Sequence, residues 1–381
     1  MTMGLGPNEH LIGAEGSRAR LATPALVLDL DRFEHNLGTM AAHFAGRPES
    51  IRPHAKTHKC AEIARRQMAA GAVGICVAKL GEAAAMIRGG VSRILITSPI
   101  VTADKLERVL ALNDVAEELI LVVDNSETID LLASLAAERA KPMQVVIDLG
   151  VGRNRTGIPT IPGAVALAEQ IKARPSLTLR GLQCYAGHLQ HIEDCAAREE
   201  EALETMKRIG DARDAIEAVA GSLDIVTGGG TGTYDIDPEA GVFTDLQVGS
   251  FVFMDVQYNA VMRRDGTPGP FETSLFVQST VICANIAEAV TTDAGFKAFA
   301  TDGPMPEIAD GAPEGSSYDF MGDEHGRIVL PEGANGPPIG TVVTCVTPHC
   351  DPNVNLHDLY HCVRGDRLVD IWRIDARGQT W

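Results

Sequence analysis

The sequence predicts an α/β protein: a (β/α)8 barrel of the TIM type, joined to a second, smaller, mainly β domain. Three observations lead there. From residue 25 to about residue 255, short apolar runs alternate with amphipathic stretches of helical period. Most of these runs are β-branched and lack strict polar alternation, as strands covered on both faces do. After about residue 265, Gly and Pro become frequent, helical periodicity fades and short β-type runs take over, which marks a different domain.

In chain order, ALVLDL (25–30) leads in. SIRPHAK (50–56), GICVAK (74–79), RILITS (93–98), LILVVD (119–124), QVVIDL (144–149), LRGLQCYA (179–186), DIVTGGG (224–230) and DLQVGSFVF (245–253) follow. Eight is the number of strands that closes a barrel. Helical patterns such as CAEIARRQMAA, GEAAAMIRGG and EEEALETMKRIGDARDAIEAVA lie between them, and repeated β-α units give a parallel sheet. LFVQSTVICAN, RIVL, GTVVTCVTP and RLVDIWRI supply strands for the second domain. The expected division is a barrel over 25–262 and a mainly β domain built from 1–24 plus 263–381.

The chain has 381 residues, with 33 Lys+Arg against 51 Asp+Glu and a net charge of −18. That field disfavours nucleic acid and anionic membranes as partners, and it requires a local positive cluster wherever a small anionic substrate binds. The first twenty residues lack the apolar core of a signal peptide, and no run is long enough to cross a bilayer. Eight cysteines are scattered without CxxC spacing, several of them inside apolar runs, where a buried thiol is the ordinary reading. A reduced, cytoplasmic protein is expected.

Barrel enzymes place their chemistry at the C-terminal ends of the strands. Lys56 closes the first barrel strand, and alternation puts Arg52, His54 and Lys56 on one face. A lysine there can be desolvated, its pKa lowered and its amine made nucleophilic toward a carbonyl. His58 and Lys59 fall past the strand and are expected in solvent. DIVTGGGTGTY (224–234) runs a strand into three glycines and a threonine, whose backbone N–H groups can surround a phosphate. LQVGSFVFMD (246–255) adds Gly-Ser at the next strand, and phosphate sites in barrels commonly form at these last two loops. IDLGVGRNRTGI (147–158) places Arg153 and Arg155 past a strand end, either as surface arginines or as partners for a ring nitrogen or carboxylate. GLQCYAGHLQHIED (181–194) ends a strand at Tyr185, which stacks on a planar ring or plugs the barrel. His188 and His191 follow as candidates for acid/base work. In VVTCVTPHCDPNVNLHDLYHC (342–362), His349 and Asp351 are two apart, so an extended segment aims both at one divalent cation and turns Cys350 away. The i, i+4 pair His357 and His361 in HDLYH lacks the glutamate of a zinc-protease helix.

Taken together, TPALVLDLDRFEHN, RPHAKTHK, GRNRTG, GGGTGTY, LQVGSFVFMD, DEHG and HCDPNVNLHD resemble the metal-dependent, fold-type III pyridoxal-phosphate enzymes, an alanine-racemase-like group that includes D-threonine aldolase, D-3-hydroxyaspartate aldolase and D-serine dehydratase. The likeness runs nearly end to end. It implies pyridoxal 5'-phosphate on Lys56, with Gly229, Gly230, Thr231, Gly249 and Ser250 around the phosphate. It also implies Arg155 at the pyridine nitrogen, Tyr185 beside the ring, His191 near the substrate hydroxyl, and His349 with Asp351 on the metal. Dehydratase-like members carry His-x-Cys, a softer pair suited to zinc; aldolase-like members carry His-x-Asp, suited to manganese or magnesium. Asp351 therefore favours an aldolase that cleaves a β-hydroxy-D-amino acid to glycine and an aldehyde. The alternative is a D-serine or D-3-hydroxyaspartate dehydratase giving a 2-oxo acid and ammonia. A non-catalytic pyridoxal-phosphate carrier and a zinc hydrolase built on HDLYH are the other classes. The resemblance also implies a homodimer and a small-molecule substrate.

Overall fold

The computed structural model describes residues 4–152 and 155–381. After two 3-10 turns come β1 (Ala25–Asp29) and α1 (Leu30–Phe44). The barrel strands are β2 (Ser50–Ile51), β3 (Ile75–Val77), β4 (Arg93–Ile96), β5 (Glu118–Val123), β6 (Met143–Asp148), β7 (Leu177–Cys184), β8 (Ile225–Gly228) and β9 (Asp245–Leu246). Between them run α2 (Ala61–Ala69), α3 (Leu80–Arg88), α4 (Ala103–Val115), α5 (Ser126–Ala136), α6 (Ile161–Lys172) and α7 (Cys195–Ala220). All eight strands are parallel, in the order β2-β9-β8-β7-β6-β5-β4-β3. A parallel bridge between His54 and Cys76 closes the ring. It is reinforced by Cys76 N–H donating to the Pro53 carbonyl and Ala55 N–H to the Cys76 carbonyl, each at 2.8 Å.

Helix starts follow from short polar side chains that accept the first free N–H groups. Asp29, Asn125, Thr160 and Asp194 do this for α1, α5, α6 and α7. Strand alternation divides the barrel residues. Cys76, Leu95, Ile120, Val122, Val146 and Ile225 fill the interior, while their neighbours face the helices. Below this apolar layer lies a charged base, where Arg52 meets Glu118 and Asp245 and Arg180 meets Glu118. Above it lies a polar floor. Gln183 Nε2 donates to Thr97 O and Asp148 Oδ1, both at 3.0 Å.

After α8 (Val256–Asn259) the chain enters the β domain: β10 (Leu275–Ile286), β11 (Ala289–Thr292), β12 (Glu307–Asp310), β13 (Ser317–Phe320), β14 (Gly326–Val329) and β15 (Val342–Val346). A short helix, α9 (Cys350–Val354), precedes β16 (Leu359–Arg364) and β17 (Arg367–Arg373). These strands and β1 form one nine-stranded sheet among the described residues. β1 pairs antiparallel with β10 and parallel with β16, so the segment expected to lead into the barrel hydrogen-bonds within the second domain's sheet. Phe253 meets Tyr360 at 5.7 Å between ring centroids, and Phe33 meets Trp372 at 6.3 Å. One apolar core thus runs through both sheets. No helix among the described residues is long and apolar enough to cross a membrane.

Candidate active site

Strand β2 hands the chain to a tight turn at the barrel mouth. His54 N–H donates to the Val248 carbonyl at 3.0 Å, and His58 and Lys59 N–H groups then fold back on the Ala55 carbonyl. Arg52 and His54 point into the barrel, as alternation predicts. The His54 ring accepts from Lys56 N–H at Nδ1 (3.2 Å) and reaches Thr97 Oγ1 with Nε2 (3.0 Å). Thr97 spends its own proton on the Val77 carbonyl, so His54 is the neutral Nε2–H tautomer. Burial and then the Lys56 charge hold its pKa well below the usual value.

Lys56 stands at the mouth with its side chain 39% exposed, ion-paired to Asp351. Its pKa is not lowered as expected. Desolvation works in that direction, but Asp351 and Tyr185 outweigh it and raise the value. Burial would likewise lift the Asp351 carboxyl, yet Lys56 and His349 hold it below the usual carboxylate range. The expectation for the next residues is corrected more sharply. His58 and Lys59 are buried, not solvated. His58 Nε2 bonds Gln67 at 3.2 Å, Tyr360 caps the His58 carbonyl at 2.6 Å, and Lys59 pairs with buried Glu82. The turn sets Lys59 at φ +51°, and its side chain reaches Glu82 in the first turn of α3.

His349 and Asp351 do reach the same mouth, but not along an extended strand. His349 is the residue before α9 and Asp351 lies in its first turn. Asp255 makes that turn possible, accepting Cys350 N–H at 2.8 Å and Tyr258 N–H at 2.9 Å. Cys350 is buried. His349 Nδ1 bonds Asp302 Oδ2 at 2.8 Å, a partner absent from the sequence reading. His191 packs on Tyr258 at 4.7 Å and faces His349 at 6.4 Å between ring centroids. His188 instead lies against Gly152, where a Cβ would come within 2.7 Å of its Nδ1.

Arg155 holds its guanidinium over the Tyr185 ring at 5.5 Å; Arg153 lies outside the described residues. The loop that carries Arg155 is fixed by Thr156 on Asp148 (2.8 Å) and Gly157 N–H on Asp124 (3.1 Å). A cavity of about 260 Å³ opens here, lined by Arg155, Thr156, Tyr185, Gly187 and His191 among others. The glycine turn after β8 and the Gly249-Ser250 turn meet, since Phe251 N–H donates to Thr231 Oγ1 at 3.1 Å. Gly229 sits at φ +66°, and a Cβ there would lie 2.3 Å from Asp237 Oδ2. A Cβ on Gly249 would come within 2.7 Å of Thr57 Oγ1, beside Lys56. HDLYH is not a helix. His361 lies in β16 and bonds Leu26 O, while His357 bonds Ala298 O. Among the described residues no three His, Cys, Asp or Glu side chains gather for a metal.

An amine at the mouth of the first barrel strand, a glycine cradle after the seventh and a cationic group over an aromatic ring define a class. They suit a planar, phosphorylated carbonyl cofactor. Comparison with known proteins agrees. Residues 28–257 match the family model "Alanine racemase, N-terminal domain", and residues 274–363 match "Putative serine dehydratase domain". The chain is 38% identical over 360 residues to a D-threonine aldolase from Arthrobacter sp, covering 94% of each chain. It is 30% identical over 367 residues to a 3-hydroxy-D-aspartate aldolase from Paracoccus denitrificans (strain Pd 1222), covering 95% of this chain and 94% of that one. The crystal structure of D-threonine aldolase from Filomicrobium marinum matches with a TM-score of 0.91 at 34% identity, over 95% of this chain and 98% of that one. The chain belongs to the fold-type III pyridoxal-phosphate family, in its lyase branch with these aldolases.

Proposed function

We propose that the protein is a pyridoxal-phosphate- and divalent-metal-dependent aldolase that cleaves a β-hydroxy-D-amino acid, of the D-threonine or D-3-hydroxyaspartate type, to glycine and an aldehyde. The observation that carries this reading is the convergence of Lys56 from the barrel with Asp351 and His349 from the β domain, opposite His191. The relatives' names support it.

In this reading Lys56 holds the cofactor, Gly229, Gly230, Thr231, Gly249 and Ser250 cradle its phosphate, Arg155 faces the ring nitrogen and Tyr185 lies beside the ring. The cofactor supplies a sink for the electron pair left on Cα when the Cα–Cβ bond breaks. His349 and Asp351 would hold the cation, manganese or magnesium by the hardness of the carboxylate. A cation held by these two donors would supply Lewis-acid assistance to the substrate hydroxyl. Asp302 fixes the His349 ring through Nδ1, which leaves Nε2 for the cation. His191 takes the hydroxyl proton, so the oxygen becomes the aldehyde carbonyl, and a proton returned to Cα gives glycine. The dehydratase alternative would need the softer cysteine where this chain has Asp351; Cys350, between the two donors, is buried and its N–H is engaged by Asp255. A homodimer in the cytoplasm completes the proposal.

Chelation tests the metal part. Turnover should stop with a chelator and return with manganese, and Asp351→Asn should lower kcat by about a hundredfold. Turnover indifferent to chelator would remove His349 and Asp351 from the mechanism.

A further inference from the structure

The glycine turn after β8 does more than face a phosphate. Only Gly229 of its glycines has a positive φ, so backbone freedom does not explain Gly230 and Gly232. Contact does. A Cβ on Gly230 would lie 2.4 Å from Gln190 Oε1, and a Cβ on Gly232 would lie 2.2 Å from the Gln190 carbonyl oxygen. Both glycines make room for one buried residue, Gly230 for its side chain and Gly232 for its backbone; Gln190 is 1% exposed.

Gln190 uses both ends of its amide on this turn. Its Oε1 accepts Gly232 N–H at 2.9 Å, and its Nε2 donates to Thr233 Oγ1 at 3.1 Å. Thr233 passes its own proton to buried Asp237 Oδ2 at 2.6 Å, and Asp237 N–H returns a bond to the Thr233 carbonyl at 2.9 Å. On the other side, Gln190 is the middle residue of the 3-10 turn Leu189–His191. The next residue is therefore the one that packs on Tyr258 and faces His349.

We propose that Gln190 is a positioning residue that ties the phosphate turn Gly229–Thr233 to the turn carrying His191, so that seating the cofactor phosphate and placing the base are one event. This rests on the aldolase reading above. A side chain that holds both turns couples them reciprocally: what loosens one loosens the other.

The test measures cofactor affinity by visible absorbance titration, separately from kcat at saturating pyridoxal phosphate and manganese. Gln190→Ala leaves a buried N–H and a buried hydroxyl short of a partner. It should weaken cofactor binding about tenfold and also lower kcat at saturation about tenfold, with KM moved far less. His191→Ala should lower kcat while leaving cofactor affinity within about twofold of wild type. A Gln190→Ala protein that binds cofactor normally, or binds it weakly but turns over normally at saturation, overturns the coupling. Wild-type kcat in His191→Ala overturns the role of His191 itself, and the coupling to it. Should Gln190→Ala fail to fold, Thr233→Val removes only the hydroxyl between Gln190 and Asp237. It should move both readouts together by about threefold; movement of one alone, or of neither, is again contrary.

Discussion

Lys56 and Lys59 are three residues apart and meet opposite fates. The first stays at the mouth against Asp351; the second is buried against Glu82. The turn after His54 separates their directions, but the buried partner of Lys59 is Glu82, a residue on α3 that no local pattern announces. Asp302 is a similar case, since its importance lies only in its contact with His349. Asp302→Ala should weaken manganese binding by about tenfold or more in a calorimetric titration, whereas an unchanged affinity would leave the His349 ring fixed by other contacts. Asp237 gives a pH-dependent prediction. Burial, with the neighbouring Asp235 charge adding and the Thr233 hydroxyl opposing, pushes its pKa up to about 7. A raised carboxyl pKa means the folded state binds the proton more tightly, so its contribution to stability is full below the unfolded value and is lost as pH rises through about 7. Asp237→Asn still accepts from Thr233 but carries no charge. Its melting temperature relative to wild type should therefore rise between pH 5 and pH 8, and a difference that is flat with pH would contradict this.

At the level of elements, the barrel was legible because eight doubly covered strands write a plain apolar signal. Their lengths were less so. SIRPHAK reads as one strand to Lys56, but Pro53 has no N–H to donate, and regular pairing in β2 spans only Ser50–Ile51 before the His54 bridge. DLQVGSFVF reads as a strand to Phe253, but it breaks after Leu246 and forms a 3-10 turn at Ser250–Val252. HCD reads as extended; it starts a helix because Asp255, about a hundred residues earlier, accepts the Cys350 N–H. The glycine turn was found, but its reason was only partly visible, since Gln190 sits on another loop. Strand β7 carries a prediction of its own. It shifts register between Val145 and Val146 of β6, and a Cβ on Gly181 would lie 1.7 Å from the Ile225 carbonyl oxygen. Gly181→Ala should force β7 and β8 apart and cost about 2 kcal/mol or more, read as a lower denaturation midpoint. An unchanged midpoint would mean the strands shift freely at this point.

The whole molecule joins its two sheets in one core, and its candidate site is assembled across them. Lys56 comes from the barrel, and His349 and Asp351 come from the β domain. The Lys56 turn is held from the β-domain side by Tyr360 on the His58 carbonyl and by Ala376 N–H on the Lys59 carbonyl at 2.9 Å. Heating should therefore unfold both domains in a single calorimetric transition, and two separated transitions would contradict a shared core. Tyr360→Phe should lower that transition, at a cost of about 1 kcal/mol for the lost hydrogen bond.

The most direct test of this account is product analysis. Protein loaded with pyridoxal phosphate and manganese is incubated with D-threonine and with D-3-hydroxyaspartate, and the products are identified by mass spectrometry. The account predicts glycine with the matching aldehyde from at least one of the two, and none from Lys56→Ala. A 2-oxo acid with ammonia in place of glycine, or glycine formed equally well without Lys56, would contradict it.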